Sequence, residues 1–247
     1  MKMFKNTILI TGGGSGIGKG LAEMFHRKGN KVIIAGRNKA RLEEVAKANE
    51  GMETLELDVT TSESIDALVA QVYEKYPDLN VLILNAGMMK AEKIGDNDIQ
   101  TAKSIIATNL IGQMELNSKL LPILEGNNDA VIVTVSSGLA FIPGASFPSY
   151  CATKAAIHSY TQSLRTQLKN SGIQVIELIP PYVQTELISP EQANDPNAMP
   201  LADFITEVTN LLENNPEIDE IQVERVKYFT DAVATGEYEH RYNDLNQ

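Results

Sequence analysis

The chain is short of several things, and each shortage excludes something. Its single cysteine, Cys151, cannot form a disulfide within the chain. That rules out a disulfide-stapled scaffold and suits a reducing, cytoplasmic compartment. Tryptophan is absent and aromatic residues make up only 6%, so the core must be mostly aliphatic. Basic residues are outnumbered, 21 Lys and Arg against 32 Asp and Glu, for a net charge of −11. Nucleic acids and anionic membranes call for clustered cations, so neither is an expected partner. No stretch approaches the roughly 18–20 apolar residues of a membrane span. Met1 to Asn6 is short and polar, and the apolar run after it is too brief for a signal segment. No His, Cys or acidic cluster has metal-ligand spacing, so no metal site is expected. There is no internal repeat and no low-complexity block.

What the chain does contain is a steady alternation of short β-branched runs and helical patterns. Residues 7–11, 31–35, 53–57, 81–85, 130–136 and 174–179 read as strands. Between them, 16–28, 39–48, 62–75, 102–124 and 149–170 read as helices. Strands of near-continuous apolar residues are buried on both faces, as in a parallel sheet covered by helices. The expected fold is therefore a single α/β domain over residues 1–247, a doubly wound Rossmann sheet with strand order 3-2-1-4-5-6. Pro190, Pro196 and Pro200 break the rhythm and mark a mobile excursion at about 188–215, part of which, 202–212, is expected to be helical. Residues 218–224 suggest a seventh strand, and 230–247 a polar, acidic tail with some helix.

A glycine-rich turn, Thr11 to Gly18, joins the first strand to the first helix. Glycines at Gly12, Gly14, Gly16 and Gly18 let the backbone approach a pyrophosphate, while Ser15 and Ile17 sit beside the helix N-terminus that would receive it. Gly13 to Lys19 nearly spells a triphosphate-binding loop. Position 20 is Gly, however, so the magnesium-ligating hydroxyl is missing. The second strand ends Ala35-Gly36-Arg37. An NAD site would place an acid near there for the ribose 2′-hydroxyl. Arg37 instead suits a 2′-phosphate, with Ser15 and Asn38 able to add hydrogen bonds, so NADP is expected over NAD.

Tyr150 and Lys154 are four apart at the start of a helix, which stacks them on one face. The neighbouring ammonium is expected to lower the phenol pKa, so that Tyr150 exchanges a proton with a carbonyl or alcohol. Ser137 lies just past the fifth strand, at the sheet edge where such folds bind ligands. Its hydroxyl can hold the substrate oxygen. Ser136 points to the other side of an extended segment and is expected to be structural. His158, one turn beyond Lys154, is expected to pack, and Cys151 to be a buried small hydrophobe.

Thr11–Gly18, Asp58-Val59, Asn85-Ala86-Gly87, Asn109, Ser136-Ser137 and Tyr150–Lys154 together resemble the short-chain dehydrogenase/reductase family over roughly residues 7–187. The resemblance implies an oxidoreductase that moves a hydride between a nicotinamide and a carbonyl or secondary alcohol. It implies that Tyr150 is the general acid/base, that Lys154 binds the nicotinamide ribose, and that Ser137, thirteen residues before Tyr150, positions the substrate. Asn109, in the long helix, would hold a water in a proton relay. Asp58 and Val59 would flank the adenine, and Asn85, Ala86 and Gly87 would line the cofactor. Pro180, Val183 and Thr185 match positions that contact the carboxamide and phosphates.

The chain departs from the family pattern in two places. Pro181 stands where the family usually has Gly, and the ending common in tetrameric members is missing. Both features resemble a bacterial subgroup of oxidoreductases associated with the D-alanine–lipoteichoic acid operon. Leu139, Phe147, Tyr182 and Leu187 are expected near the substrate, with Met88 and Met89 able to adapt to it. They suggest a medium-sized neutral carbonyl, although Lys90 and Lys93 follow the fourth strand. The helices 102–124 and 149–170 are where the family commonly dimerises, so a homodimer is expected. A non-catalytic NADP-binding sensor on the same fold is the rival reading.

Overall fold

A computed structural model describes residues 1–96 and 98–247. Its strands are β1 (Thr7–Thr11), β2 (Lys31–Gly36), β3 (Glu53–Glu56), β4 (Val81–Leu84), β5 (Val131–Val135), β6 (Gln174–Ile179) and β7 (Glu220–Gln222). All six pairings are parallel, in the order β3-β2-β1-β4-β5-β6-β7. The expected order holds, and the seventh strand forms over three residues of the span assigned to it. Around the sheet stand α1 (Gly16–Arg27), α2 (Lys39–Ala48), α3 (Ser62–Lys75), α4 (Ile99–Ile106), α5 (Gly112–Glu125), α6 (Pro148–Gln167), α7 (Leu201–Asn214), α8 (Lys227–Thr230) and α9 (Tyr238–Leu245). Among the described residues no helix is long and apolar enough to cross a membrane.

Alternation along each strand divides the core. Ile8 and Ile10 of β1 face Leu21 and Phe25 of α1 and Phe204 and Val208 of α7. Leu9, between them, faces the opposite layer of Leu68, Leu116, Leu120 and Leu164 from α3, α5 and α6. Successive side chains point to opposite faces, and both faces are covered. The strands therefore need apolar residues throughout, which is why they read as continuous runs.

The span 102–124 is not one regular helix. A π-helical turn, Ala107–Ile111, separates α4 from α5. Gly112 follows it and lies hard against the backbone of Val59: a Cβ built there would sit 2.0 Å from the Val59 carbonyl oxygen. Hydrophobic periodicity cannot register one inserted residue in a helix that stays helical on both sides. The inserted turn also moves Asn109 out of a regular helical position.

The excursion after β6 is tied down by a bridge between Val183 and Met199 and by a buried glutamine. Gln192 is buried, donates to the Val183 carbonyl (2.9 Å) and Thr185 Oγ1 (3.1 Å), and accepts from the Ile188 amide (2.9 Å). The acidic tail carries α9 and folds back, the Asn246 side-chain amide donating to the Pro143 carbonyl (3.1 Å) ahead of α6.

Candidate active site

The strand ends β1, β4, β5 and β6 open into a single cleft of about 800 Å³. Its floor at one end is the glycine turn. Gly12 has φ +69°, and a Cβ added at Gly18 would stand 2.4 Å from both the Gly12 carbonyl oxygen and Asn85 Nδ2. Both positions therefore require glycine. Ser15 precedes α1 in extended conformation without capping it by its side chain, and the first turn of α1 carries no acid. The helix N-terminus thus offers free N–H groups at the cleft, a fit for a pyrophosphate.

Thr11 organises the next wall, a role the sequence reading missed. Its hydroxyl oxygen accepts from the amides of Asn85 (3.0 Å) and Ala86 (2.9 Å), while the Asn85 side chain donates to the Thr11 carbonyl (2.9 Å). The Asn85 side chain therefore braces the glycine turn. Ser15, Gly16, Ile17, Ala86 and Gly87 also line the cleft, with Pro180, Val183 and Thr185 on the opposite side. Gly14 does not line it; a Cβ there would meet Leu42 and Arg41 of α2.

Arg37, Asp58 and Val59 lie beyond that rim. Arg37 is exposed at the end of β2. Burial works against the Asp58 carboxylate, but hydrogen bonds from Thr60 and then the Arg37 charge outweigh it and hold its pKa below the usual range. Arg41 pairs with Glu186 (3.1 Å) between α2 and the segment after β6.

At the other end lie the groups expected to handle a proton. Ser137 lines the cleft in extended conformation, and its Oγ accepts from the Leu139 amide (3.1 Å). Ser136 is buried, and its Oγ has no partner. Tyr150 and Lys154 are both nearly inaccessible, at 6% and 5% exposure. Lys154 Nζ donates to the Val135 carbonyl (2.8 Å) and stands 5.5 Å from the centre of the Tyr150 ring. Burial pushes the Tyr150 hydroxyl up to about 12, with Ser137 pulling the other way. Burial also pushes Lys154 down to about 8, opposed by the charge of Glu177.

This corrects the expectation that the ammonium lowers the phenol pKa. Lys154 directs one N–H to the Val135 carbonyl, and burial disfavours both charged forms. Burial thus leaves the Tyr150 hydroxyl in its proton-donor form.

Asn109 is buried in the π turn. Its Oδ1 accepts from the Met88 amide (2.8 Å), and its Nδ2 donates to the Met88 carbonyl (2.9 Å) and Thr153 Oγ1 (3.2 Å). It clasps the segment after β4 to α6. It does not line the cleft but stands directly behind Gly87, where an added Cβ would meet both Asn109 Oδ1 (3.5 Å) and Lys154 Nζ (3.8 Å).

Glu92 is a second residue the sequence reading missed. Its carboxylate accepts from the Ser149 hydroxyl (2.8 Å) and amide (3.1 Å), satisfying the first turn of α6 just before Tyr150. His158 was expected only to pack, but its Nδ1 meets the buried Glu177 carboxylate (2.9 Å). With Glu220 the pair brings ligand-type atoms within 4.8 Å of one another, from three separate elements. Lys90 is held by Thr101 (2.9 Å), away from the cleft, and Lys93 is exposed outside it. Leu139, Phe147, Tyr182 and Leu187 all line the cleft, as expected, together with Phe229, Leu245 and Asn246 from the C-terminal segment.

A profile of short chain dehydrogenases matches residues 6–196. The chain belongs to the short-chain dehydrogenase family. It is 38% identical to the uncharacterized oxidoreductase DltE of Bacillus subtilis (strain 168), over all of this chain and 98% of that protein. It is 32% identical to an uncharacterized oxidoreductase of Staphylococcus aureus (strain MRSA252), over 76% of this chain and 82% of the other. Its fold matches a short chain dehydrogenase from Burkholderia cenocepacia J2315 in complex with NADP, with TM-score 0.85 and 22% identity over the whole of both chains. A 3-ketoacyl-(acyl-carrier-protein) reductase from Brucella melitensis, complexed with NADH, matches with TM-score 0.79 and 26% identity over 89% of this chain and 96% of the other. As a short-chain dehydrogenase, the protein is an NAD(P)-dependent oxidoreductase acting on a small molecule.

Proposed function

We propose that this short-chain dehydrogenase is NADP(H)-dependent and interconverts a neutral carbonyl and its secondary alcohol, with Tyr150 as general acid/base. The observation that carries the reading is a buried Tyr150 that shares one end of the cleft with Ser137 and Lys154, while the other end is a glycine cradle. A bound nicotinamide supplies or accepts the hydride. The chain's own residues handle the proton and the oxygen. Ser137 holds the substrate oxygen, and Tyr150 donates its proton to it in reduction or takes one in oxidation. Lys154 would hold the nicotinamide ribose with its ammonium, and Asn109 keeps Met88 and α6 in register. A substrate screen that follows NADPH oxidation over a panel of aldehydes and ketones tests the reaction. No turnover with any of them would sink it.

The cleft beyond Tyr150 is lined by Met88, Met89, Leu139, Phe147 and Phe229. Among the described residues lining the cleft, Lys154 is the only Lys or Arg. That supports an uncharged substrate, because a carboxylate or phosphate would go unclamped.

Arg37 supports NADP over NAD. It stands at the strand end where an acid would take a ribose 2′-hydroxyl, and its exposed guanidinium suits a 2′-phosphate. Arg37→Ala should weaken NADPH binding by roughly ten- to a hundredfold, the worth of a charge-assisted hydrogen bond, and leave NADH binding unchanged. Fluorescence titration with both cofactors checks this; tighter NADH binding in the wild type would refute it.

Ile99, Ile106, Ile111 and Met114 are exposed along α4, the π turn and α5. A patch of this kind supports a homodimer through this helical layer. Sedimentation should show a dimer at micromolar concentration, and a persistent monomer would exclude it. The lone buried cysteine suits a reducing, cytoplasmic setting.

A further inference from the structure

We infer that Glu177, clasped by His158, is a positioning residue that keeps the Lys154 side chain protonated from beneath the cleft. Glu177 is completely buried in β6 between Ile176 and Leu178, where an aliphatic side chain would fit the layer. An ionised carboxylate there is expensive unless partnered. Its partner is His158 on α6, whose Nδ1 lies 3.0 and 2.9 Å from the two carboxylate oxygens, so this nitrogen carries the hydrogen and donates. The ring itself is held in place. Phe141 packs on it with centroids 4.7 Å apart, and the Gln162 amide meets Nε2 at 3.1 Å.

Lys154 is one helical turn before His158 on the same face of α6. Its surroundings are otherwise hostile to charge. Burial pushes its pKa down to about 8, and Glu177 is the group that opposes this. The other titratable groups around the pair are few. On α6 they are Tyr150, with Cys151 beside it, and Arg165 further along. On β7 it is Glu220, opposite Glu177 in the sheet register, with Asp219 just before it. Arg165 is occupied by the Val175 and Asp219 carbonyls (3.1 and 2.8 Å), and Glu220 accepts from Gln222 (2.7 Å). That leaves Glu177 as the buried counter-charge for Lys154. Glu220 stands opposite Glu177 in the sheet register, and His158 is the group that hydrogen-bonds the Glu177 carboxylate.

The catalytic meaning of this arrangement rests on the proposed roles of Tyr150 and Lys154; the charge relation between Glu177 and Lys154 does not. The test therefore reads Lys154 directly. The full chain is labelled with ε-¹³C lysine and titrated by NMR, with the Lys154 resonance assigned by its loss in Lys154→Met. In Glu177→Gln, which keeps the size and the acceptor for His158, the Lys154 midpoint should fall by about one pH unit, a tenfold loss of proton affinity. Glu177→Asp should restore most of it. His158→Gln, at a half-buried position, should move the midpoint the same way by less. A midpoint unchanged in Glu177→Gln would overturn the inference, as would a downward shift of equal size in Glu177→Asp. The alkaline limb of kcat/KM for reduction should move with the midpoint. Absence of turnover on every carbonyl tested, with the midpoint still shifted, would defeat only the proposed reaction.

Discussion

Tyr150→Phe should lower carbonyl reduction by about a thousandfold, within the range typical of a lost general acid, while NADPH binding and thermal stability stay at wild-type levels. The substitution removes one hydroxyl and leaves the ring packed against Ile105 and Cys151. It therefore takes away the proton and little else. Steady-state rates with a saturating ketone, alongside NADPH titration of the same samples, separate the two quantities. A variant that keeps more than roughly a tenth of the wild-type rate would show that the proton comes from elsewhere. The pH dependence follows from the same burial. Tyr150 is held protonated up to about 12, so its donor form is present across the working range of reduction. The alkaline limb then belongs to Lys154, whose ammonium is present below about 8 and lost above it.

Gly112→Ala should be the most damaging single methyl group in the helical layer. Its Cβ would lie 2.0 Å from the Val59 carbonyl oxygen, 2.8 Å from the carbonyl carbon and 2.9 Å from the Val59 Cβ. None of these is the loose end of a flexible side chain. Overpacking against backbone costs about 3 kcal/mol or more, and in a domain this size that lowers Tm by roughly 6–12 °C. The damage should also reach activity, because a shift of the π turn carries Asn109 away from Met88 and Thr153. Gly95→Ala is the matching control, since a Cβ there meets nothing within 4 Å among the described residues. Calorimetry on both variants decides the matter; equal melting temperatures would mean that the backbone of α5 yields freely.

Much of this molecule is legible without its structure, and the reason is local. Glycines at a strand-to-helix turn announce a phosphate site because the left-handed backbone at Gly12 favours glycine and the contacts at Gly12 and Gly18 leave no room for a Cβ. The Tyr150–Lys154 spacing announces a shared helical face. Apolar runs announce a doubly covered sheet, and the strand order follows from the alternation of elements. Other features left no local trace. The π turn changes helical phase by one residue without altering composition. Glu92 caps α6 from 57 positions away. Thr11 reaches Asn85 across 74 positions. The polar tail gives no sign that Leu245 and Asn246 close one side of the cleft.

The proton pair shows where that boundary lies. Sequence by itself determined that Tyr150 and Lys154 would meet at the end of a parallel sheet, because helical spacing and strand ends are properties of short segments. It led to the wrong sign for the tyrosine pKa. Only the tertiary structure decided that, by burying the hydroxyl and turning the Lys154 ammonium toward the Val135 carbonyl. Burial and the placing of a counter-charge such as Glu177 depend on which elements pack together, and the electrostatics of a closed cleft belong to that packing.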